Sequence, residues 1–226
     1  MGSFDLSRQR VVETARLLVE KDYFKGTGGN LSVRVEGQPA FAITPSNYDY
    51  LKMLPEDVCV LDWQTNVLEG TRKPSIESGL HAAVYQVRAD VNVIIHSHQL
   101  YASTLALIDA PIPALFDEQV RYLGRSVEIV PYAPSGTGAL MKNVQAKVRN
   151  GHNAYILKNH GAVVLGTDAE RAIQNLELLE KCALAYLLAL CTERRVTRIP
   201  LAIREIVFAK LRKDEEKFAR LNQNVG

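Results

Sequence analysis

"AYILKNHGAVVLG", residues 154–166, is the stretch that decides the fold class. Two apolar runs flank a polar turn at residues 158–161, and this pattern predicts a hairpin of two buried strands. Asp168 follows closely and is a good N-cap for a long helix that we expect to reach about Thr192. The stretch therefore predicts antiparallel strands that lead into a helix.

Upstream of this hairpin, helical and strand patterns interleave along the chain. Helical spacing or composition predicts helices at 5–22, after Pro74 and Ser75, at 98–107 and at 136–150; apolar runs and alternation predict strands at 31–35, 40–44, 58–62, 91–96 and 127–132. A basic helix and a polar tail end the chain. Because no repeat or low-complexity linker interrupts this pattern, we expect residues 1–226 to form a single α/β domain. Hairpins beside helical crossovers favour a mixed sheet.

The composition excludes several classes of protein. Hydrophobic residues make up 47% of the chain and charged residues 23%, as in an ordinary globular protein, and a net charge of +2 does not indicate a nucleic-acid or membrane partner. The three cysteines, Cys59, Cys182 and Cys191, show no paired spacing and favour free thiols in a reducing compartment. The apolar tract 182–191 is too short to span a bilayer and predicts a buried helix. Without a signal-peptide pattern at the N-terminus, we expect a cytoplasmic protein.

The motif His96-Ser97-His98 ends the apolar run 91–96. Side chains two residues apart on a strand point to the same face, so both imidazoles can converge on one metal ion. A catalytic metal needs a third ligand, and His160, in the turn of the hairpin, is the best candidate. The alternative is a set of unrelated polar residues at strand ends. His81 and His152 fit structural roles better, in a helix and in a loop.

Glu77 and the glycine-rich segment 26–30 each allow two interpretations. A carboxylate in the first turn of a helix is favoured by the helix dipole alone, whereas a functional Glu77 would lie near the metal as a ligand or as an acid/base. The segment "GTGGN" lacks the dinucleotide-binding spacing. It is either a simple turn or a group of backbone N–H donors for an anion.

Five motifs in order resemble the class II aldolase/adducin family over residues 5–192. They are "GTGGNLSVR", "ITPSNYDY", "PSIESGLH", "HSH" and "LKNHGAVVLG". The resemblance implies a three-layer αβα sandwich with a mixed, largely antiparallel central sheet. It also implies a homotetramer with its active site at a subunit interface.

The resemblance also implies a role for each matching residue. His96, His98 and His160 would bind Zn²⁺, with Mn²⁺ or Co²⁺ as possible substitutes, and Glu77 would be the general acid/base. The pocket for the substrate's phosphate would be lined by Thr27, Gly29, Asn30, Ser46, Asn47 and Ser75.

The chain departs from the family's pattern at three points. Asn47 stands where the family usually has glycine, and Ile76 replaces the second of two serines. Asp117 and Glu118 lie near the place of the aldolases' catalytic tyrosine and are more similar to the acidic residue of the epimerases. No tyrosine follows Tyr186, so a catalytic tyrosine on the C-terminal tail is absent.

With the resemblance, these residues imply a metal-dependent lyase of the aldolase type. It would cleave a ketose 1-phosphate to dihydroxyacetone phosphate and an aldehyde through a metal-stabilised enediolate. Glu77 would move the proton at the enediolate carbon, and Asp117 or Glu118 the proton of the aldehyde-side hydroxyl. Epimerisation, dehydration and hydroxy-acid decarboxylation remain alternatives on the same metal site. A non-catalytic, adducin-like interaction domain is less favoured because the full ligand set is present.

Overall fold

A computed structural model describes residues 2–223 of the chain. This part forms seven α-helices, eight strands and a short 3₁₀ turn at Pro55–Asp57. The helices are α1 (Ser3–Glu20), α2 (Ser78–Tyr85), α3 (Leu100–Leu107), α4 (Asp117–Tyr122), α5 (Gly138–Val148), α6 (Ala169–Cys191) and α7 (Leu201–Gln223). The strands are β1 (Asn30–Arg34), β2 (Ala40–Ile43), β3 (Cys59–Asp62), β4 (Val67–Glu69), β5 (Val93–Ser97), β6 (Glu128–Val130), β7 (Ala154–Leu157) and β8 (Gly161–Gly166).

All eight strands belong to one sheet in the order β4-β3-β2-β1-β5-β8-β7-β6. Every neighbouring pair is antiparallel except β6 and β7, which are parallel. The hairpin predicted at residues 154–166 is the β7–β8 pair. The expectation of a mixed, largely antiparallel sheet is therefore confirmed.

Helices cover both faces of the sheet. Alternate strand residues contribute to two separate cores, as the period of two in a strand requires. Leu31, Ile95 and Val164 belong to the core that includes α1, α3 and α6. Ile94 and Leu165 belong to the other core, beneath α2 and α5. Two helical layers around a sheet make a three-layer αβα sandwich, which confirms the predicted fold class.

Several boundaries differ from the sequence-based prediction. Helix α1 spans Ser3–Glu20 instead of 5–22, because Gly2 is the N-cap and its N–H donates to Asp5. Helix α6 matches the prediction, since Asp168 accepts a hydrogen bond from the Arg171 N–H.

The prediction that the apolar tract 182–191 is buried is only half right. Cys182 and Ala183 are buried, but Leu188 is 60% exposed. The exposed residues Leu188, Leu190 and Cys191 all lie in the last turns of α6, and apolar composition alone does not reveal this. None of the helices described has the length and apolar character needed to cross a membrane.

Candidate active site

Three histidines meet where β5 and β7 end and β8 begins. His96 lies in β5, His98 is the first residue after that strand, and His160 lies in the turn between β7 and β8. The turn reaches the end of β5 because β8 pairs directly with β5. One ring nitrogen from each histidine lies within 4.8 Å of the others, and the Nε2 atoms of His96 and His98 are 2.9 Å apart.

The ring of His96 is held with one nitrogen facing the cluster. Its Nδ1 lies 2.9 Å from the carbonyl oxygen of Ala162 and donates to it, so Nε2 keeps a free lone pair. Burial lowers the pKa of His96, and it also lowers the pKa of His98. Neutral imidazoles are the form that binds a metal.

Two glycines allow the backbone to approach these histidines closely. A Cβ at Gly161 would lie 2.7 Å from Cδ2 of His98. A Cβ at Gly29, which has φ +80°, would lie 2.8 Å from the His96 carbonyl oxygen and 2.7 Å from Phe24. Only glycine fits at either position without displacing the site.

Glu77 is buried and turned toward the histidines. It occupies the N-cap position of α2, but its side chain makes no capping hydrogen bond. Oε2 lies 3.1 Å from His96 Nε2, and Oε1 lies 3.5 Å from His160 Nε2. The helix dipole therefore does not explain this residue. The functional interpretation of Glu77, which requires it beside the metal, has the geometry that it needs.

Two donors hold the Glu77 carboxylate in this position. Asn30 Nδ2 donates to Oε2 at 2.8 Å, and Ser135 Oγ donates to Oε1 at 2.7 Å. Burial opposes ionisation of Glu77, but the field of His96 and these two hydrogen bonds outweigh it and lower the pKa of the carboxyl. Glu77 is thus a fixed anion at neutral pH.

The donor set fits a divalent transition metal. Three imidazole nitrogens converge beside a carboxylate, which is the ligand chemistry of catalytic zinc and related ions. His96 is buried, His160 is partly exposed and His98 is exposed, so the cluster opens to one side. A metal held there would keep a coordination position for substrate.

The three segments predicted to bind phosphate lie side by side. The Ser46 N–H donates to the Lys73 carbonyl at 2.8 Å, which joins the turn after β2 to the segment before α2. The hydroxyl of Tyr50 donates to the carbonyl oxygen of Gly29 at 2.7 Å, which joins the same turn to the loop before β1. Polar residues of all three segments can therefore contribute to one pocket.

Comparison with known proteins decides the family. The family model described as Class II Aldolase and Adducin N-terminal domain matches residues 9–187. The chain belongs to this family. As a class II aldolase, it is a lyase.

Relatives and solved structures agree with this assignment. The chain is 33% identical over 179 residues to the 5-deoxy-D-ribulose 1-phosphate aldolase of Bacillus thuringiensis, covering 79% of this chain and 83% of that protein. It is 33% identical over 172 residues to an L-fuculose phosphate aldolase of Methanococcus maripaludis, covering 76% of this chain and 91% of that protein. A solved L-fuculose 1-phosphate aldolase superposes with a TM-score of 0.84 at 36% identity, covering 91% of this chain and 96% of that one.

Two departures from the class II aldolase pattern have a structural explanation. Asn47 has φ +55°, the left-handed region that favours glycine and that asparagine tolerates best among other residues. The turn therefore keeps its backbone conformation without glycine. Ile76 is 59% exposed, and its backbone packs against the loop at Gly136, so an exposed apolar side chain replaces the hydroxyl at this position.

Asp117 and Glu118 lie apart from the histidines in the described chain. Both are exposed in the first turn of α4, and Glu118 accepts a hydrogen bond from Lys181 at 3.0 Å. None of the hydrogen bonds or ion pairs found within residues 2–223 joins either acid to the cluster. Their proposed catalytic role stays a prediction.

The sequence did not predict three of the polar contacts at this site. Ser135 was missed because it approaches Glu77 from a loop 58 residues away. His81, predicted to be structural, accordingly lies fully buried, but its Nε2 is 2.6 Å from Oδ1 of Asn30. The amide of Asn30 therefore joins His81 to Glu77, in addition to its predicted place in the phosphate pocket.

Proposed function

We propose that this protein cleaves a ketose 1-phosphate to dihydroxyacetone phosphate and an aldehyde. The observation that carries the proposal is the Glu77 carboxylate, which spans His96 and His160 at 3.1 and 3.5 Å. A base fixed beside three metal-ligand nitrogens has the arrangement needed to move a proton at a carbon next to a carbonyl.

His96, His98 and His160 would hold the metal, and we propose Zn²⁺, with Mn²⁺ or Co²⁺ as substitutes. When bound, the metal supplies a Lewis acid that polarises the substrate's carbonyl. The protein's contribution is to present three imidazoles, two from the end of β5 and one from the turn between β7 and β8.

Glu77 would act as the general acid/base. In the synthetic direction the ionised carboxylate removes a proton from the carbon of dihydroxyacetone phosphate. In the cleavage direction Glu77 first takes up a proton from solvent and then delivers it to that carbon. Asn30 and Ser135 hold its two oxygens, so the carboxylate does not have to reorganise for each transfer.

The remaining predicted residues would contact the two ends of the substrate. Thr27, Gly29, Asn30, Ser46, Asn47 and Ser75 belong to the three adjacent segments and would bind the phosphate. Asp117 or Glu118 would handle the proton of the aldehyde-side hydroxyl.

The aldehyde side favours a deoxy sugar. Ile76 places an exposed apolar side chain next to Glu77, where a methyl group would be accepted better than a hydroxyl. The name of the Bacillus relative, a 5-deoxy-D-ribulose 1-phosphate aldolase, fits this expectation. We therefore propose 5-deoxyribulose 1-phosphate or a similar deoxyketose phosphate as substrate.

We further propose that residues 1–226 act as a single domain in a cytoplasmic homotetramer with the active site at a subunit interface. Large apolar side chains of α6 and α7 support the assembly because they are exposed in the single chain, namely Leu188, Leu201 and Ile206. Three cysteines without disulfides support a reducing compartment.

A substrate panel tests the proposal. The metal-loaded protein is incubated with 5-deoxyribulose 1-phosphate, fuculose 1-phosphate and, as the matched control, ribulose 1-phosphate, which differs from the first only in its terminal hydroxyl. We expect dihydroxyacetone phosphate and an aldehyde, formed fastest from the deoxy substrates.

The same panel separates the alternatives. The acidic pair Asp117 and Glu118 favours epimerisation as the second candidate, and an epimerised product without free aldehyde would select it. A dehydrated product would select the dehydratase. Because none of these sugars has a carboxyl group, a hydroxy acid or β-keto acid is added to the panel, and CO₂ released from it would select the decarboxylase. An inert protein that carries no divalent metal would point to an interaction domain.

A further inference from the structure

A chain of buried polar side chains runs from Glu77 into the core between α2 and β1. Asn30 is followed by His81, whose Nε2 lies 2.6 Å from Asn30 Oδ1, and by Ser32, whose Oγ lies 2.6 Å from His81 Nδ1. The chain ends at the hydroxyl of Tyr85, 2.8 Å from Ser32 Oγ. None of these side chains is more than 6% exposed.

The spacing of the residues places them in one line. Glu77, His81 and Tyr85 follow each other at intervals of four, which puts them on one face of α2. Asn30 and Ser32 are two residues apart on β1, so they point to the face that α2 covers. Helix and strand periods thus bring the polar side chains together within an otherwise apolar core.

The hydrogen bonds of this chain can run in only one direction. Asn30 turns its NH₂ group to Glu77 Oε2 and its Oδ1 to His81, and since an amide oxygen can only accept, His81 Nε2 carries the proton. Burial lowers the pKa of His81 to about 3, so the ring is neutral and its Nδ1 accepts from Ser32. Tyr85, whose pKa burial raises, then donates to Ser32.

The direction of these hydrogen bonds matters because the side-chain amide of Asn30 can flip and exchange the positions of Oδ1 and Nδ2. A flipped amide would set Oδ1 against the Glu77 carboxylate, where two acceptors repel each other. The proton on His81 Nε2 excludes that orientation, and the Ser32 hydroxyl fixes the tautomer that carries the proton. A neutral apolar side chain at position 81 would leave both orientations open and would leave Asn30 Oδ1 buried without a donor.

We infer that His81 is a positioning residue, which acts through Asn30 to hold the Glu77 carboxylate between His96 and His160. This inference rests on the proposed role of Glu77 as the acid/base. Ser32 and Tyr85 support the same alignment, because Ser32 hydrogen-bonds to His81 Nδ1 and Tyr85 hydrogen-bonds to Ser32.

The test replaces His81 with leucine and uses His152→Leu as the matched control. His152 is also buried, but it packs on Phe208, and within residues 2–223 no hydrogen bond or ion pair joins it to Glu77 or to the three histidines. We expect His81→Leu to keep its metal and its KM and to lose about 10- to 100-fold in kcat, the range found for partners that orient active-site groups. His152→Leu should lose stability but keep kcat per folded molecule.

A double-mutant cycle with Asn30→Ala separates positioning from a structural role. If His81 acts through Asn30, adding His81→Leu to Asn30→Ala should lower kcat no further. Independent, multiplying losses would overturn the inference, and so would a His81→Leu variant with the kcat of the wild type.

A second variant covers the case in which His81→Leu does not fold. Ser32→Ala removes only the hydroxyl that donates to Nδ1, and it should lower kcat with KM and metal content unchanged, again without further loss in the Asn30→Ala background. A wild-type kcat in Ser32→Ala would overturn the inference. Failure of the proposed function is recognised separately, because the wild type would then cleave no ketose 1-phosphate; failure of the role of Glu77 alone would leave Glu77→Gln active.

Discussion

The α2 side of the site and its proposed α4 side differ in how far the described chain completes them. On the α2 side, Glu77 is buried and both of its oxygens receive hydrogen bonds. On the α4 side, Asp117 and Glu118 are exposed, and the bond from Lys181 to Glu118 is a surface pair of little energetic weight. The contrast teaches that the proton-transfer group is fixed by the fold of one chain. The surroundings of the acidic pair depend on what packs against that surface.

The largest effect is expected from a metal ligand. His96→Ala leaves two imidazoles, too few to hold a catalytic metal, so metal content and cleavage should both fall close to zero. Elemental analysis of the purified variant checks this, with His152→Ala as a control that keeps its metal. Full metal occupancy in His96→Ala would contradict the assignment of His96 as a metal ligand.

Glu77→Gln should give the next largest loss. Glutamine preserves the shape of the side chain but cannot take up a proton, so kcat should fall by about 10²- to 10⁴-fold, the contribution of a general acid/base. Steady-state kinetics with parallel metal analysis measures the effect. Near-normal kcat at full metal content would show that the buried carboxylate is structural.

Gly29→Ala should damage the site through crowding. The new Cβ would lie 2.7 Å from Phe24 and 2.8 Å from the His96 carbonyl oxygen, and we expect a loss of about 1–3 kcal/mol in unfolding free energy together with reduced activity. Gly37→Ala is the matched control, since Gly37 also has positive φ but has open space around its Cβ position. Equal losses in both variants would assign the effect to backbone strain alone.

Asp117→Asn and Glu118→Gln sharpen the comparison from the α4 side. If one of these acids handles the aldehyde-side proton, cleavage by that variant should fall by about 10²-fold, the lower end of the contribution of a general acid/base, while metal content is unchanged. Lys181→Met serves as the control because it removes only the surface partner of Glu118. Wild-type cleavage by both variants and by their double would remove the acidic pair from the mechanism.

Asn47→Gly should have the smallest effect. At φ +55° either residue is tolerated, so the unfolding free energy should change by less than about 1 kcal/mol, whereas Asn47→Val should lose roughly 1–2 kcal/mol to strain. Denaturant unfolding compares the two variants. A large loss of stability in Asn47→Gly would show that the asparagine side chain, and not the backbone, maintains the turn.

The fold could be predicted to a large extent because its signals are local. The hairpin at 154–166 and the cap at Asp168 each depend on a few neighbouring residues, and both are confirmed. The exposure of Leu188 could not be predicted, because apolar composition does not say which element covers a helix. The first turn of α1 was missed because Gly2 and Ser3 carry no apolar marker.

The site shows the same division between local and long-range information. His96 and His98 were found through the period of a strand, and His160 through the turn of a hairpin. The contacts of Glu77 with Asn30 and Ser135 join residues 47 and 58 positions apart, and only the folded sheet brings them together. His81 and Tyr85, which continue this network in the core, share helical spacing with Glu77. This spacing can be interpreted only once β1 is known to lie opposite α2.

The most direct test of this account is solvent deuterium exchange into dihydroxyacetone phosphate, measured beside cleavage. The exchange reports proton transfer by Glu77 without any aldehyde. We expect exchange to be lost in Glu77→Gln and to persist in the Asp117→Asn/Glu118→Gln double variant, in which cleavage is impaired. Exchange that survives in Glu77→Gln, or that falls in the double variant as far as cleavage does, would contradict the division of labour between the two sides.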